Sequence, residues 1–322
     1  MRETEQRRYW EQVPAHHRII EAMRRLLLMP AVVLLTITLA CGSSDNDVSN
    51  ADQTLTTSAR TATPTVAARG GTPTHGVIGT SDPSLPLYIA LGDSLSHGVG
   101  ATDRTTTAFV PLVREGLGPD VRLLNLGHSG DDSFEITEHG HLGEAVAAIE
   151  ERNGDDDEDN DVVLVTLEIG GNDLLDLYFD LVVPGICPNV PEGLQRPVCV
   201  DAFRDALDAF SPNLRGILAA LREADPELRI VLMTLYNPFS GSAITSFEPI
   251  GELGLEGTPG TVFPEGLNDV IRAEGEAAGV ILADVYPAFV GKGGEYIALD
   301  LIHPNDAGYR VMADAVLAAI DG

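Results

Sequence analysis

Ser94 stands where an apolar run stops. In "YIALGDSLSHGVGA", the stretch Tyr88–Leu91 ends at Gly92-Asp93 and the serine follows at once. Near the other end of the chain, "ALDLIHPNDAGY" sets Asp300 and His303 three residues apart. A hydrolytic serine needs a base for its proton, a group that orients the base, and donors for the oxyanion. In a turn or helical start, a spacing of three puts Asp300 and His303 on one side, so the carboxylate can hold the imidazole through Nδ1–H. The plainer reading makes Asp300 a helix cap and His303 a surface residue before a proline. Two further stretches offer donors. The backbone N–H of Gly130 in "NLGHSGDDS" has no side chain in its way, and Asn172 in "EIGGND" carries a side-chain NH₂.

These residues need a scaffold that brings them together. Short continuous apolar runs predict strands over Leu87–Leu91, Val121–Leu126, Val162–Leu167, Arg229–Leu235 and Val280–Asp284, as expected when both faces of a parallel sheet are covered. Amphipathic stretches lie between them, among them "TTTAFVPLVREGL", "HLGEAVAAIEER", "DALDAFSPNLRGILAALREA" and "PEGLNDVIRAEGEAAG". "PNDAGYRVMADAVLAAI" forms the last helix. The alternation predicts one α/β domain with a central, mostly parallel five-stranded sheet. Ser94, Gly130 and Asn172 then follow strands one, two and three, at the edge where open α/β sheets bind ligands. Residues 174–200 and 238–263 break the alternation and are expected as long loops, of the kind that are functional or disordered.

With those residues in view, the chain resembles the SGNH hydrolases of the GDSL esterase/lipase family over roughly Leu87 to Ile320. "GDSLSHG" is similar to the family's first block and places the nucleophile on Ser94. "NLGHSG" resembles the second, with its glycine on Gly130, and "GGND" the third, with its asparagine on Asn172. "DLIHPNDAGY" resembles the fifth, with the acid on Asp300 and the base on His303. The resemblance implies a flavodoxin-like three-layer α/β/α sandwich. It also implies ester hydrolysis without metal or cofactor, on substrates from lipids and simple esters to thioesters and acetylated sugars. In that mechanism Ser94 Oγ attacks the ester carbonyl as His303 takes its proton, and Asp300 fixes the imidazole. The oxyanion is held by the N–H groups of Ser94 and Gly130 and the amide of Asn172, and water releases the acyl group. No G-x-S-x-G elbow is present, which separates the chain from the α/β-hydrolases.

The N-terminal part has a different character. Leu26–Ala40 is an apolar run of 15 residues behind Arg24 and Arg25, too short to span a bilayer and laid out as an export signal. "ITLAC" resembles the lipobox of bacterial lipoproteins, although Thr38 stands where leucine is usual, which implies a lipidated Cys41. Met23 is the better start, with "MRRLLL" as a short basic region. The expected organisation is therefore a signal region over 1–40, a lipidated cysteine with a Ser/Thr/Pro-rich tether over 41–84, and a hydrolase domain over 85–322. Export suits a disulfide between Cys187 and Cys199, worth about 3 kcal/mol for so short a loop.

Several other features carry bland readings. A net charge of −29 repels phosphate backbones and argues against nucleic acid as a partner. The acidic run Asn153–Asp161 fails as an EF-hand, since counting from Asp155 the sixth and twelfth places hold Asn160 and Thr166. Asp93 is expected to turn from the serine and bond loop backbone. His97 and His128 read as satisfied loop residues, and "HGH" at His139–His141 as a polar helix start with no further metal ligand at suitable spacing. The expected function is that of an exported, membrane-tethered serine esterase acting on a small-molecule ester, lipid or acylated sugar. Its alternatives are a short-acyl carbohydrate deacetylase and a non-catalytic tethered binding lipoprotein.

Overall fold

The computed structural model describes residues 82–154, 157–189 and 191–322. The expected signal region, Cys41 and nearly all of the tether lie outside the described residues. In chain order the main elements begin with β1 (Leu87–Gly92), α1 (Phe109–Leu117), β2 (Arg122–Asn125) and α2 (His141–Asn153). Then come β3 (Val162–Glu168), α3 (Gly171–Leu177), α4 (Pro197–Ala224) and β4 (Ile230–Met233). The last four are α5 (Glu248–Glu256), α6 (Leu267–Ala277), β5 (Ile281–Ala283) and α7 (Asp306–Asp321).

All five strands expected from the apolar runs are present and form one sheet in the order β2-β1-β3-β4-β5. Every pairing is parallel, so the sheet is fully rather than mostly parallel. Helices α1 and α7 pack together on one side, and α2, α4 and α6 pack in a row on the other. This gives three layers. It also explains the continuous apolar runs: β1 and β4 are buried along their whole length. The α7 helix starts cleanly because the Asn305 side chain accepts from the N–H groups of Ala307 and Gly308 at 2.9 and 3.1 Å.

The two long stretches expected as loops both carry helical segments, and most of the first is helical. α3 continues into a wider turn over Tyr178–Val182, a short helical turn covers Pro191–Leu194, and α4 already begins at Pro197. Leu174, Tyr178, Leu181 and Val182 recur at helical spacing, and their shared apolar face is what makes a helix the better solution. Between β4 and α6, α5 starts with Pro249 in its first turn and stops at Gly257, whose φ is +59°. The expected disulfide joins Cys187 and Cys199, with Cα atoms 5.8 Å apart. Among the described residues, no helix is long and apolar enough to cross a membrane.

The order 2-1-3-4-5 reverses direction between β1 and β3, and the crevice at that reversal is where ligands bind in doubly wound sheets. The two strands meet closely there. Gly92 ends β1 opposite Glu168 at the end of β3, with φ +148°. A Cβ on Gly92 would lie 2.1 Å from the Glu168 carbonyl oxygen and 2.4 Å from Ser96 Oγ. Gly92→Ala is therefore expected to destabilise the fold by about 2–4 kcal/mol, from backbone strain and overpacking together. Urea unfolding measures this, and a midpoint equal to the parent's would show that the strand ends can separate.

Candidate active site

Segments that follow β1, β3 and β5 meet at this crevice, with the loop after β2 packed against the one after β3. Ser94 opens the helical turn Ser94–His97 directly after β1. Asp93 caps that turn: its Oδ1 accepts the Leu95 N–H at 2.9 Å. His303 comes from the segment between β5 and α7, and the structure brings it to Ser94 across 209 residues of sequence. Ser94 Oγ lies 2.9 Å from His303 Nε2, and His303 Nδ1 lies 2.7 Å from Asp300 Oδ2. The carboxylate fixes the tautomer, with Nδ1–H donating to Asp300 and Nε2 left to accept from the serine.

The segment carrying this pair is tightly held. Asp300 Oδ1 accepts the N–H groups of Ile302 and His303 at 3.1 and 3.0 Å. Leu301, between them, has φ +67° and is the one non-glycine residue with positive φ among those described. Strain of that kind persists only where neighbours over-determine it. Tyr236 Oη donates to the Ile302 carbonyl at 2.8 Å, and the Ala298 N–H donates to the His303 carbonyl at 2.8 Å. Burial pushes the Asp300 carboxyl up. The hydrogen bond and charge of His303, with the two backbone N–H groups, outweigh that push and hold it below its usual value.

Of the two donor candidates, Asn172 lines the cavity beside Ser94 and His303, and Gly130 directly precedes Asp131, whose carbonyl Asn172 holds. Gly130 lies in the loop after β2 with φ +102°, a conformation that suits glycine. Asn172 is buried in the first turn of α3 instead of at the tip of β3. Its Nδ2 donates to the Asp131 carbonyl at 2.7 Å, while Asp93 Oδ2 is 3.4 Å away. One amide hydrogen is therefore fully used and the other only loosely held.

Asp93 bonds the loop backbone as expected, yet it does not turn away from the serine, since Oδ1 stays 3.4 Å from Ser94 Oγ. The explanation is a residue that the sequence reading passed over. Glu168, the last residue of β3, is wholly buried beside Asp93. Burial raises both carboxyls, and the neighbouring Asp93 charge pushes Glu168 further, well above the ordinary range. Of the two, Glu168 is the one pushed furthest toward its neutral form, which lessens the negative charge the pair places under the serine turn. A glutamate closing an otherwise apolar strand was the available signal.

His97 behaves as a satisfied loop residue, with Nδ1 3.2 Å from the Gly127 carbonyl oxygen and Nε2 2.7 Å from Arg104 Nη1. His128 does not line the crevice. It meets Asp131, His139 and His141 in a separate cluster behind the Gly130 loop. Beside Ser94 and His303 opens a cavity of about 200 Å³. Its walls are apolar, including Leu174, Tyr178, Leu181, Phe203, Phe239 and Phe263, and the Cys187–Cys199 bridge closes one side.

Asp173, next to Asn172, generates a pH prediction. Burial raises its carboxyl to about 6, against the opposing hydrogen bonds from Ser133 Oγ at 2.6 Å and Ser133 N–H at 3.0 Å. A folded-state value above the unfolded one means that ionisation disfavours the fold, so this contribution is lost as pH rises from about 4 to about 6. Asp173→Asn should therefore gain stability relative to the parent across that interval, by on the order of 2–3 kcal/mol at pH 7 compared with pH 4. Denaturant unfolding of both proteins at the two pH values reads the difference directly. A constant difference would mean that Asp173 titrates normally.

Comparison with known proteins agrees with this geometry. The profile of the GDSL-like Lipase/Acylhydrolase family matches residues 90–311. The chain is 26% identical to the spore germination lipase LipC of Bacillus licheniformis over 239 residues, which is 72% of this chain and 95% of that protein. Among solved structures it is similar to the lipase Lip_vut3 from a goat rumen metagenome. That match has a TM-score of 0.52 and 25% identity, and it covers 72% of this chain and 96% of the other. With the profile spanning more than half of its length, the chain belongs to the GDSL-like lipase/acylhydrolase family and is a carboxylic ester hydrolase.

Proposed function

We propose that the protein hydrolyses esters of aliphatic acyl chains through an acyl-enzyme on Ser94. The observation that carries this reading is the apolar cavity, which opens directly on the Ser94–His303 contact. His303 Nε2 takes the serine proton as Oγ attacks the carbonyl carbon, and Asp300 stabilises the imidazolium. The oxyanion is received by the Ser94 and Gly130 N–H groups and by the loosely held hydrogen of Asn172. Collapse of the tetrahedral species expels the alcohol, which takes its proton from His303. Water attacks the acyl-enzyme with His303 again as base. The lipase names of the Bacillus licheniformis and goat rumen relatives accord with an acyl-chain substrate.

A p-nitrophenyl ester series tests the acyl reading. Each buried CH₂ contributes about 0.8 kcal/mol, so even partial burial of a longer chain gives at least roughly tenfold in kcat/KM. Octanoate should thus exceed acetate by that factor, and Ser94→Ala should abolish turnover on both. Equal rates on octanoate, acetate and an acetylated sugar would favour the short-acyl reading. A folded protein that neither turns over nor reacts with a serine-directed phosphonate would favour a binding protein.

Localisation belongs to the same proposal. The apolar run before Cys41, together with a disulfide that suits an oxidising compartment, supports an exported hydrolase tethered by a lipidated cysteine. Cys41→Ala should release the protein from the membrane fraction and remove label from an alkyne-tagged fatty acid. Retention of the label in that variant would place the lipid elsewhere.

A further inference from the structure

Behind the Gly130 loop, three imidazoles converge on one carboxylate. Asp131 is 1% exposed, and its Oδ1 lies 2.6 Å from His128 Nδ1 and 2.9 Å from His139 Nδ1. On the other side, His141 Nε2 is 3.6 Å from Oδ2, an atom buried without a hydrogen-bond partner. One ligand atom from each of the four side chains falls within 4.8 Å of all the others. Two donors on a tetrahedral ion, each about 2.1 Å from it, stand about 3.4 Å apart; the imidazole–Asp131 separations of 2.6, 2.9 and 3.6 Å lie around that edge, so sub-ångström shifts of these side chains would seat an ion.

We propose that His128, Asp131, His139 and His141 form a binding site for a zinc-class divalent cation. The donor set selects the ion. Three imidazole nitrogens and one carboxylate suit Zn²⁺ or Co²⁺, whereas Ca²⁺ and Mg²⁺ take oxygen shells. Asp131 Oδ2 gains the partner that a buried carboxylate oxygen otherwise lacks. Ligation through Nδ1 of His128 and His139 requires the tautomer of each ring that carries its proton on Nε2. Both rings are about half exposed, at 50% and 45%, which leaves an entry path from solvent.

The site is distinct from the reacting groups yet tied to them. Gly130 lies between two of the ligands, His128 and Asp131. The Asp131 carbonyl is also the acceptor that holds Asn172 Nδ2. A cation here would clamp the loop after β2 to the start of α2, where His139 and His141 flank Gly140 at φ +86°. These four residues are therefore positioning residues, acting on the oxyanion side of the crevice through the backbone.

The test uses the purified full-length chain, stripped with chelator and desalted after exposure to equimolar Zn²⁺, Co²⁺, Mg²⁺ or Ca²⁺. One Zn²⁺ per chain should be retained, and Co²⁺ should give the intense visible bands of a tetrahedral site. Mg²⁺ and Ca²⁺ should wash away. His139→Gln, on the exposed side of the cluster, should weaken Zn²⁺ at least about tenfold. His141→Gln should do the same, with circular dichroism showing that each variant is folded. If His141→Gln fails to fold, His139→Gln alone decides. Absence of retained Zn²⁺ in the parent would overturn the site. So would equal retention by parent and folded variants, which would place the metal on other histidines such as His16, His17 or His75.

Discussion

The adjacent ends of β1 and β3 impose the constraint on which the rest of this site is built. Gly92 and Glu168 are register partners, and the carbonyl of one strand occupies the space where a side chain of the other would stand. Only a strand end without a Cβ allows that approach, and it fixes the height at which Ser94 leaves the sheet. The same proximity forces Asp93 against Glu168 in a region closed to water. Two ionised carboxylates could not share such a place. The conflict pushes Glu168 toward its neutral form, while Asp93 caps the serine turn and faces Asn172.

The site therefore uses carboxyl groups in two opposite electrostatic conditions. Asp93 and Glu168 are raised by burial, so the floor of the crevice carries less negative charge than its composition suggests. Asp300 is held ionised by its imidazole and by backbone N–H groups, and sits at the rim. This separation matters for a serine nucleophile. A full second charge beneath Ser94 would oppose the alkoxide character that develops during attack, whereas the charge on Asp300 acts through His303 and favours proton removal. Environment, not residue type, assigns the roles.

How much of this was legible in the sequence differs by element. All five strands were readable because a parallel sheet covered on both faces demands uninterrupted apolar runs, and "LYIALG" or "IVLM" has no helical alternative of that length. The residues of the crevice were readable because they follow those runs. The walls of the cavity were legible in part. Residues 174–200 were readable as a candidate functional stretch, but the prolines and glycines from Pro184 to Pro197 give a local loop pattern, whereas burial of one apolar face made the start of the stretch helical. Glu168 was missed because a strand-ending carboxylate reads as solvent-facing until the partner strand is known. The histidine cluster was missed for a related reason: His139 and His141 show no metal spacing alone, and His128 and Asp131 reach them only through the turn of the chain over 131–140.

Chemistry and selectivity thus come from different parts of the chain. The reacting groups stand on strand ends whose positions the sheet fixes, with the 2.9 Å contact of Ser94 and His303 set by β1 on one side and by the anchored segment before α7 on the other. The cavity walls come largely from the helical insert after β3 and from α5, with Phe203 of α4 and the flanking Phe239 and Phe263 completing them. The Cys187–Cys199 bridge ties that insert to the start of α4, whose buried face includes Phe210, Leu214 and Leu221. The bridge thus lies in the wall of the cavity and makes no contact in the serine, imidazole and carboxylate chain. No residue of 174–200 contributes to the Ser94–His303–Asp300 contacts, so that stretch shapes the cavity beside the reacting groups without setting the geometry of proton transfer.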